Sequence, residues 1–217
     1  MKFTHLELDK EVPSLKQINE DGTRYYVTPE GNKYPSVTTI LSHHNKKSIM
    51  EWRNRIGHEK AQKITTQASV RGTRIHKICE DYLNNEEIEY KTPLEREQFE
   101  TFKPIIHNID NIYAQELRMY SDHLRAAGTV DCVGEFMGKL SIIDFKTSSK
   151  PKKKEWIDNY FMQCAAYAVM FEERFNIPIS NLAVLISVQD STPQIFIEKR
   201  DNFINRFLEY RDLNESS

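Results

Sequence analysis

Residues Gly128 to Thr147 read GTVDCVGEFMGKLSIIDFKT, the pattern of two antiparallel strands joined by a tight turn. Apolar and β-branched residues dominate both halves. Met137-Gly138 lies between them, and the glycine suits the positive φ that a two-residue turn demands. With those two residues as the loop, Phe136 faces Lys139, and counting outward sets Asp131 opposite Asp144. Alternation along a strand sends Asp131, Asp144 and Lys146 to one face. Directly opposed Cβ atoms lie ~4.5–5.5 Å apart, so two carboxylates there repel unless a cation sits between them. A hard divalent ion that prefers oxygen ligands, Mg²⁺ or Mn²⁺, fits that position, and Lys146 adds an ammonium beside it. The plain alternative is a solvated edge with one ordinary ion pair. It fits poorly, because Asp144 emerges from the apolar run Leu140-Ser141-Ile142-Ile143.

Working outward, Ile112 to Tyr120 alternates as a strand and carries a third carboxylate, Glu116, which could equally be an exposed residue paired with Arg118. After the hairpin, the basic loop Ser149 to Lys154 runs into Trp156 and Tyr160, which sets phosphate attraction beside aromatic stacking surfaces. Glu155 to Phe175 reads as a long helix, apolar on most sides. Within it Gln163 and Tyr167 are one turn apart; a buried glutamine needs hydrogen-bond partners, and the pair could hold a phosphate, hold a catalytic side chain, or satisfy each other. Asn181 to Val188 is a continuous apolar strand suited to a sheet interior. Gln194 to Ile197 follows as its hairpin partner, with a last helix over roughly Asn202 to Leu213.

Ahead of the hairpin, residues 1–22 read as an extended lead-in, and Arg24–Val27 with Lys33-Tyr34 as a small hairpin. Pro35 to Leu41, PSVTTIL, is a short helix capped by Ser36. Ser48 opens a charged helical stretch with Trp52 and Ile56 as inward anchors, either a solvated face or a substrate-facing arch. Gly72 to Leu83 is amphipathic, with Ile75, Ile78, Cys79 and Tyr82 as its stripe, His76 at the border and Glu80 one turn further. Thr92-Pro93-Leu94-Glu95 starts a helix running to about His107. The order fits an α/β sandwich around a mixed sheet, one domain over 1–217: lead-in and hairpin 1–34, helical region 35–110, sheet core 111–200 and C-terminal helix 201–217.

Composition narrows the field. A net charge of −2 rules out a polycation, so any nucleic-acid contact must come from local basic patches. Cys79, Cys132 and Cys164 are far apart and apolar in context, too few for a zinc or iron–sulfur centre, and read as reduced thiols. No run nears the ~18–20 apolar residues that span a bilayer, and the N-terminus has neither a signal-peptide core nor transit-peptide composition.

Taken together, GTRIHKI, GTVD, IIDFKTS and QCAAY resemble, in order and in element, the PD-(D/E)XK nuclease superfamily. Within it the chain is similar to the RecB-type exonuclease branch, with PSVTTIL and LSIIDFKTS resembling the mitochondrial genome maintenance exonucleases and their phage and bacterial relatives. The resemblance implies a restriction-endonuclease-like αβββαβ core with a central mixed sheet flanked by helices, plus an N-terminal helical region. It assigns Asp131, Asp144, the Phe145 carbonyl and His76 as metal ligands for Mg²⁺ or Mn²⁺. Lys146 positions or activates the attacking water; Gln163 and Tyr167 support the site and the DNA backbone; Thr147 and Ser148 touch the scissile phosphate. Arg53, Arg55, Arg71, Arg74 and the 150–154 lysines would line a channel for one strand. The implied activity is metal-dependent exonuclease hydrolysis of DNA, single-stranded and from a free end, in replication, repair or recombination. Structure-selective endonuclease action and an inert nucleic-acid-binding module are the alternatives. The lack of a long N-terminal extension points to a phage or bacterial enzyme in the cytoplasm.

Overall fold

The computed structural model describes residues 2–43 and 45–215; residues 1, 44, 216 and 217 of the single domain expected over 1–217 lie outside the described residues. The chain opens with a small antiparallel sheet, β1 (Lys16–Glu20), β2 (Thr23–Val27) and β3 (Lys33–Pro35). The expected extended lead-in therefore contributes a strand of its own. Its first residues are also tied down: the Phe3 backbone exchanges hydrogen bonds with the Asn85 amide, and its ring is buried.

Three helices follow, α1 (Val37–His43), α2 (Lys46–Ile56) and α3 (His58–Leu83). The charged stretch expected to start at Ser48 is divided at Gly57. Ser48 does not cap it, since its hydroxyl donates to the Asn45 carbonyl. Trp52 and Ile56 are only half-buried, and no side chain of α2 is fully buried. By contrast α4 (Pro93–Ile106) begins as its sequence dictates: Thr92 Oγ1 accepts the Glu95 N–H at 3.2 Å, with proline at the first position.

The main sheet has five strands in the order β4 (Ile109–Ser121), β5 (Ala126–Phe136), β6 (Lys139–Ser148), β7 (Asn181–Val188) and β8 (Gln194–Lys199). All neighbours are antiparallel except β6 and β7, which run parallel and are joined through α5 (Asp158–Phe175). This is the mixed, helix-flanked αβββαβ arrangement, with β8 added at the edge and α6 (Ile204–Glu215) closing the chain. The β5–β6 turn has Met137 at φ 52° and Gly138 at φ 74°, both positive as a type I′ turn requires, and Phe136 pairs with Lys139. Each face of the sheet buries its own core. Ile142, Val184 and Ile186 lie under α5; Ile143, Phe145 and Leu185 lie under α3 and α4. The register decides which of the functional side chains each helix can meet.

Candidate active site

The β5–β6 ladder stops at Cys132 and Ile143, one residue short of the two aspartates. Beyond that point β5 stays with β4 and β6 stays with β7, so the strands part. Asp131 and Asp144 are therefore not a paired cross-strand couple as the turn count implies. In this register residue 145 directs both its N–H and its C=O toward β5, and the parting leaves them without ladder partners. The Asp131 carboxylate fills the gap: its Oδ2 accepts the Phe145 N–H at 2.8 Å. The Phe145 carbonyl faces the same opening. Its ring points the other way, edge-on to Phe102 (6.4 Å) and His76 (6.2 Å).

Asp144 is buried and lies on the α5 side with Lys146. Lys146 Nζ is 2.5 Å from each Asp144 oxygen, an ion pair to both, with the better-aligned hydrogen bond to Oδ1. Burial pushes the Asp144 carboxyl upward, Lys146 opposes this and Asp131 adds to it. Burial by itself would depress Lys146, but the Asp144 and Asp131 charges outweigh that and raise it. Both groups thus favour holding protons, because two carboxylates share one ammonium in a place shielded from water. Lys146 is held as an ammonium by the carboxylates around it. Its Nζ also sits 5.1 Å from the Tyr160 ring centroid.

His76 reaches this place from α3, across the sheet, with Nδ1 3.5 Å from Asp131 Oδ2. Glu116 reaches it from β4. Donor atoms of His76, Glu116 and Asp131 all lie within 4.8 Å of one another. In register, Glu116 is the residue facing Asp131, yet the ladder skips this pair and resumes on both sides. Glu116 has φ 48°, a left-handed backbone uncommon for such a residue, of the kind that collects at functional sites. Its carboxyl is pushed up to about 7, first by partial burial and then by Asp131, although it opens onto the cleft. The expected partner Arg118 instead donates to the Leu15 carbonyl. A histidine and two carboxylates, with the buried Asp144 beside Lys146 close by, form a donor set that fits a hard divalent cation.

Gln163 and Tyr167 come together as their spacing implies, Nε2 donating to Oη at 3.4 Å. They line the same cleft, of about 490 Å³, as His76, Glu116, Asp131 and Lys146. The glycine of GTVD has a steric role here. A Cβ on Gly128 would lie 2.7 Å from Tyr167 Cε1, and the tyrosine is itself buried. Of the two aromatics expected as stacking surfaces after the basic loop, Tyr160 lines the cleft, together with Asn159, which the sequence did not single out.

Other candidates are placed elsewhere. Arg74, expected on phosphate, is engaged with Glu95 at 3.2 Å. Ser148 donates to the Lys150 carbonyl, and Thr147 Oγ1 lies toward Gly72 of α3. Glu80 pairs with Lys77 at 3.1 Å. The lysine run is partly neutralised, Lys154 by Glu198 and Lys153 by Glu155, with Lys153 also over Trp156. Arg71 donates to Gln189. The basic channel is therefore thinner than the run of charges suggests.

A core of this topology with converging acids, histidine and lysine defines a nuclease of the PD-(D/E)XK class. The superfamily's model matches residues 85–201, over half of the chain, and the chain belongs to the PD-(D/E)XK nuclease superfamily. Among curated proteins it is similar to mitochondrial genome maintenance exonuclease 1 of Homo sapiens, 27% identical over 181 residues, covering 75% of this chain and 51% of that protein. The Mus musculus protein of the same name is 28% identical over 177 residues, covering 75% and 52%. The chain thus spans about half the length of the curated relatives it matches. Among solved structures it is similar to that of a candidate exonuclease from Eubacterium rectale, at 14% identity and TM-score 0.49, covering 69% of this chain and 65% of that one.

Proposed function

We propose that this chain is a divalent-metal-dependent deoxyribonuclease that removes nucleotides from a free end of single-stranded DNA, serving replication, repair or recombination. The observation that carries the reading is the convergence of His76, Glu116 and Asp131 at the parting of β5 and β6, beside the buried Asp144–Lys146 pair. Mg²⁺ or Mn²⁺ bound there would supply Lewis-acid polarisation of a phosphoryl oxygen and a water of lowered pKa. Asp131, Asp144, His76 and the Phe145 carbonyl would hold it, and Glu116 stands close enough to share it or its water.

The chain's own groups do the remaining work. Lys146, kept protonated by its two carboxylates, presents an ammonium to the oxygens on which charge builds, and so favours the transition state over the ground state. Asp144 fixes the direction of that ammonium. The Phe145 N–H fixes Asp131, so one donor is set without a flexible side chain. Gln163 and Tyr167 form the wall along which the sugar–phosphate backbone passes. The mitochondrial genome maintenance exonucleases lend the exonuclease part of the reading its support, as proteins of that name align over three quarters of this chain.

The test uses oligonucleotides labelled at the 5′ or the 3′ end, linear and circular, with Mg²⁺, Mn²⁺ or EDTA. Stepwise shortening of linear strands that stops in EDTA and spares circles is expected. Cutting of circles would establish an endonuclease instead, and cleavage undiminished in EDTA would sink the metal role.

A further inference from the structure

The cleft has a second wall that the catalytic reading leaves unused. It comes from β2, α1 and α2, and its lining residues there are Arg24, Tyr26, Thr38, Leu41, Ser42, Asn45 and Ile49, with no carboxylate among them. Opposite lie Glu116, Asp131 and Lys146. The PSVTTIL segment is thus folded against the active site.

Arg24 is the one full positive charge on that wall. Its Nη2 donates to Thr38 Oγ1 at 2.5 Å, and among the described residues this hydroxyl is its only side-chain partner. Thr38 Oγ1 is in turn 3.0 Å from Ser36 Oγ, which bonds Thr39 Oγ1 (2.8 Å) and accepts the Thr39 N–H (3.1 Å). The Ser36 N–H donates to the Arg24 carbonyl at 2.9 Å, so hydroxyls and backbone lock the arginine to α1. On the other side Tyr26 Oη shares a hydrogen bond with Thr129 Oγ1 at 3.2 Å, which ties this wall to β5 two residues from Asp131. Guanidinium has five donors in a rigid fork matched to phosphate oxygens. Here one donor is committed to a neutral hydroxyl and none to an acid.

We propose that Arg24, clamped by Thr38, is a phosphate-anchoring subsite, holding a phosphate of the strand next to the one that faces Lys146 and so fixing how far the strand advances. This rests on the nuclease reading for the strand's path. The phosphate is either an internal diester or a terminal monoester, and the two are separable by experiment.

Binding of oligo-dT carrying a 5′-phosphate, a 5′-hydroxyl or a 3′-phosphate, and of circular oligo-dT, is measured by fluorescence anisotropy in EDTA over a salt series. Wild type, Arg24→Gln and Thr38→Val are compared, with melting curves and with KM and kcat in Mn²⁺. Arg24→Gln should bind about tenfold more weakly, the loss expected for a charged hydrogen bond, and its salt slope should fall by about 0.7. KM should rise more than kcat falls, and Thr38→Val should show a smaller loss in the same direction. Losses equal on all four substrates mean an internal phosphate; losses confined to one phosphorylated end mean a terminal one. If Arg24→Gln does not melt cooperatively, Arg24→Lys, which keeps the charge but not the fork, takes its place, with weaker binding expected at an unchanged salt slope. Wild-type binding with the variants indistinguishable from it overturns the subsite alone. Wild-type protein that neither binds nor cuts DNA overturns the nuclease reading and the subsite with it.

Discussion

The two halves of β6 obey different rules. Ser141 to Ile143 is paired on both sides, to β5 and to β7, and Ile142 and Ile143 are buried in opposite cores. Asp144 to Ser148 keeps only β7. There a freed N–H recruits Asp131, and a buried acid and amine replace the aliphatic side chains. One strand thus carries a stabilising half and a chemical half, and the change falls where one neighbour leaves. Asp144 is as buried as Ile142 and Ile143, so burial alone does not mark the site; the lost ladder does.

The sharpest way to break this contrast is Lys146→Ala. Cleavage should fall by at least ~10²–10³-fold, as when a preorganised charge-stabilising donor is removed, while oligonucleotide binding changes little; turnover near wild type would end the assignment. Metal-free stability should drop by about 3 kcal/mol, because Asp144 loses its partner. Ile142→Ala, in the other half, should cost a similar amount through a cavity and still bind metal. Next comes Asp144→Asn. Mn²⁺ should no longer raise its melting temperature, and a calorimetric titration matching wild type would count against ligation. Gly128→Ala tests the wall behind the site. The Tyr167 ring must shift from its place beside Gln163, so urea denaturation should reveal a loss of about 1–3 kcal/mol from overpacking, partly restored by adding Tyr167→Leu.

The smallest effect is a pH slope. Glu116 keeps its proton to about pH 7 in the fold but to about 4.5 when unfolded. The stability it contributes is present below pH 4.5 and is lost as pH rises toward 7. Glu116→Gln should therefore flatten the metal-free stability curve of the wild type between those values. A curve still parallel to wild type would show that neither burial nor Asp131 raises Glu116.

Much of this was legible beforehand because it is local. The turn at Met137-Gly138, the Thr92 cap and the one-turn meeting of Gln163 with Tyr167 each depend on neighbours in sequence. The same holds for the uniformly apolar β7. What escaped depends on competition between distant segments. Where the β5–β6 ladder ends is decided by β4 and β7 pulling each strand away, which no count from the turn can register. Arg74 is captured by Glu95 from the start of another helix, and Lys154 by Glu198 from the edge strand. The left-handed backbone of Glu116 has no signature at all, since glutamate is not a residue that favours it.

The eleven residues of α2 bury no side chain fully. A helix of that length is marginal in water when it relies on its own hydrogen bonds. Its amide protons should therefore exchange with solvent far sooner than those of α5, and a protease should find its first cut there. Whatever comes to rest against this segment will be felt as an increase in its order, which makes it the natural place to attach a reporter.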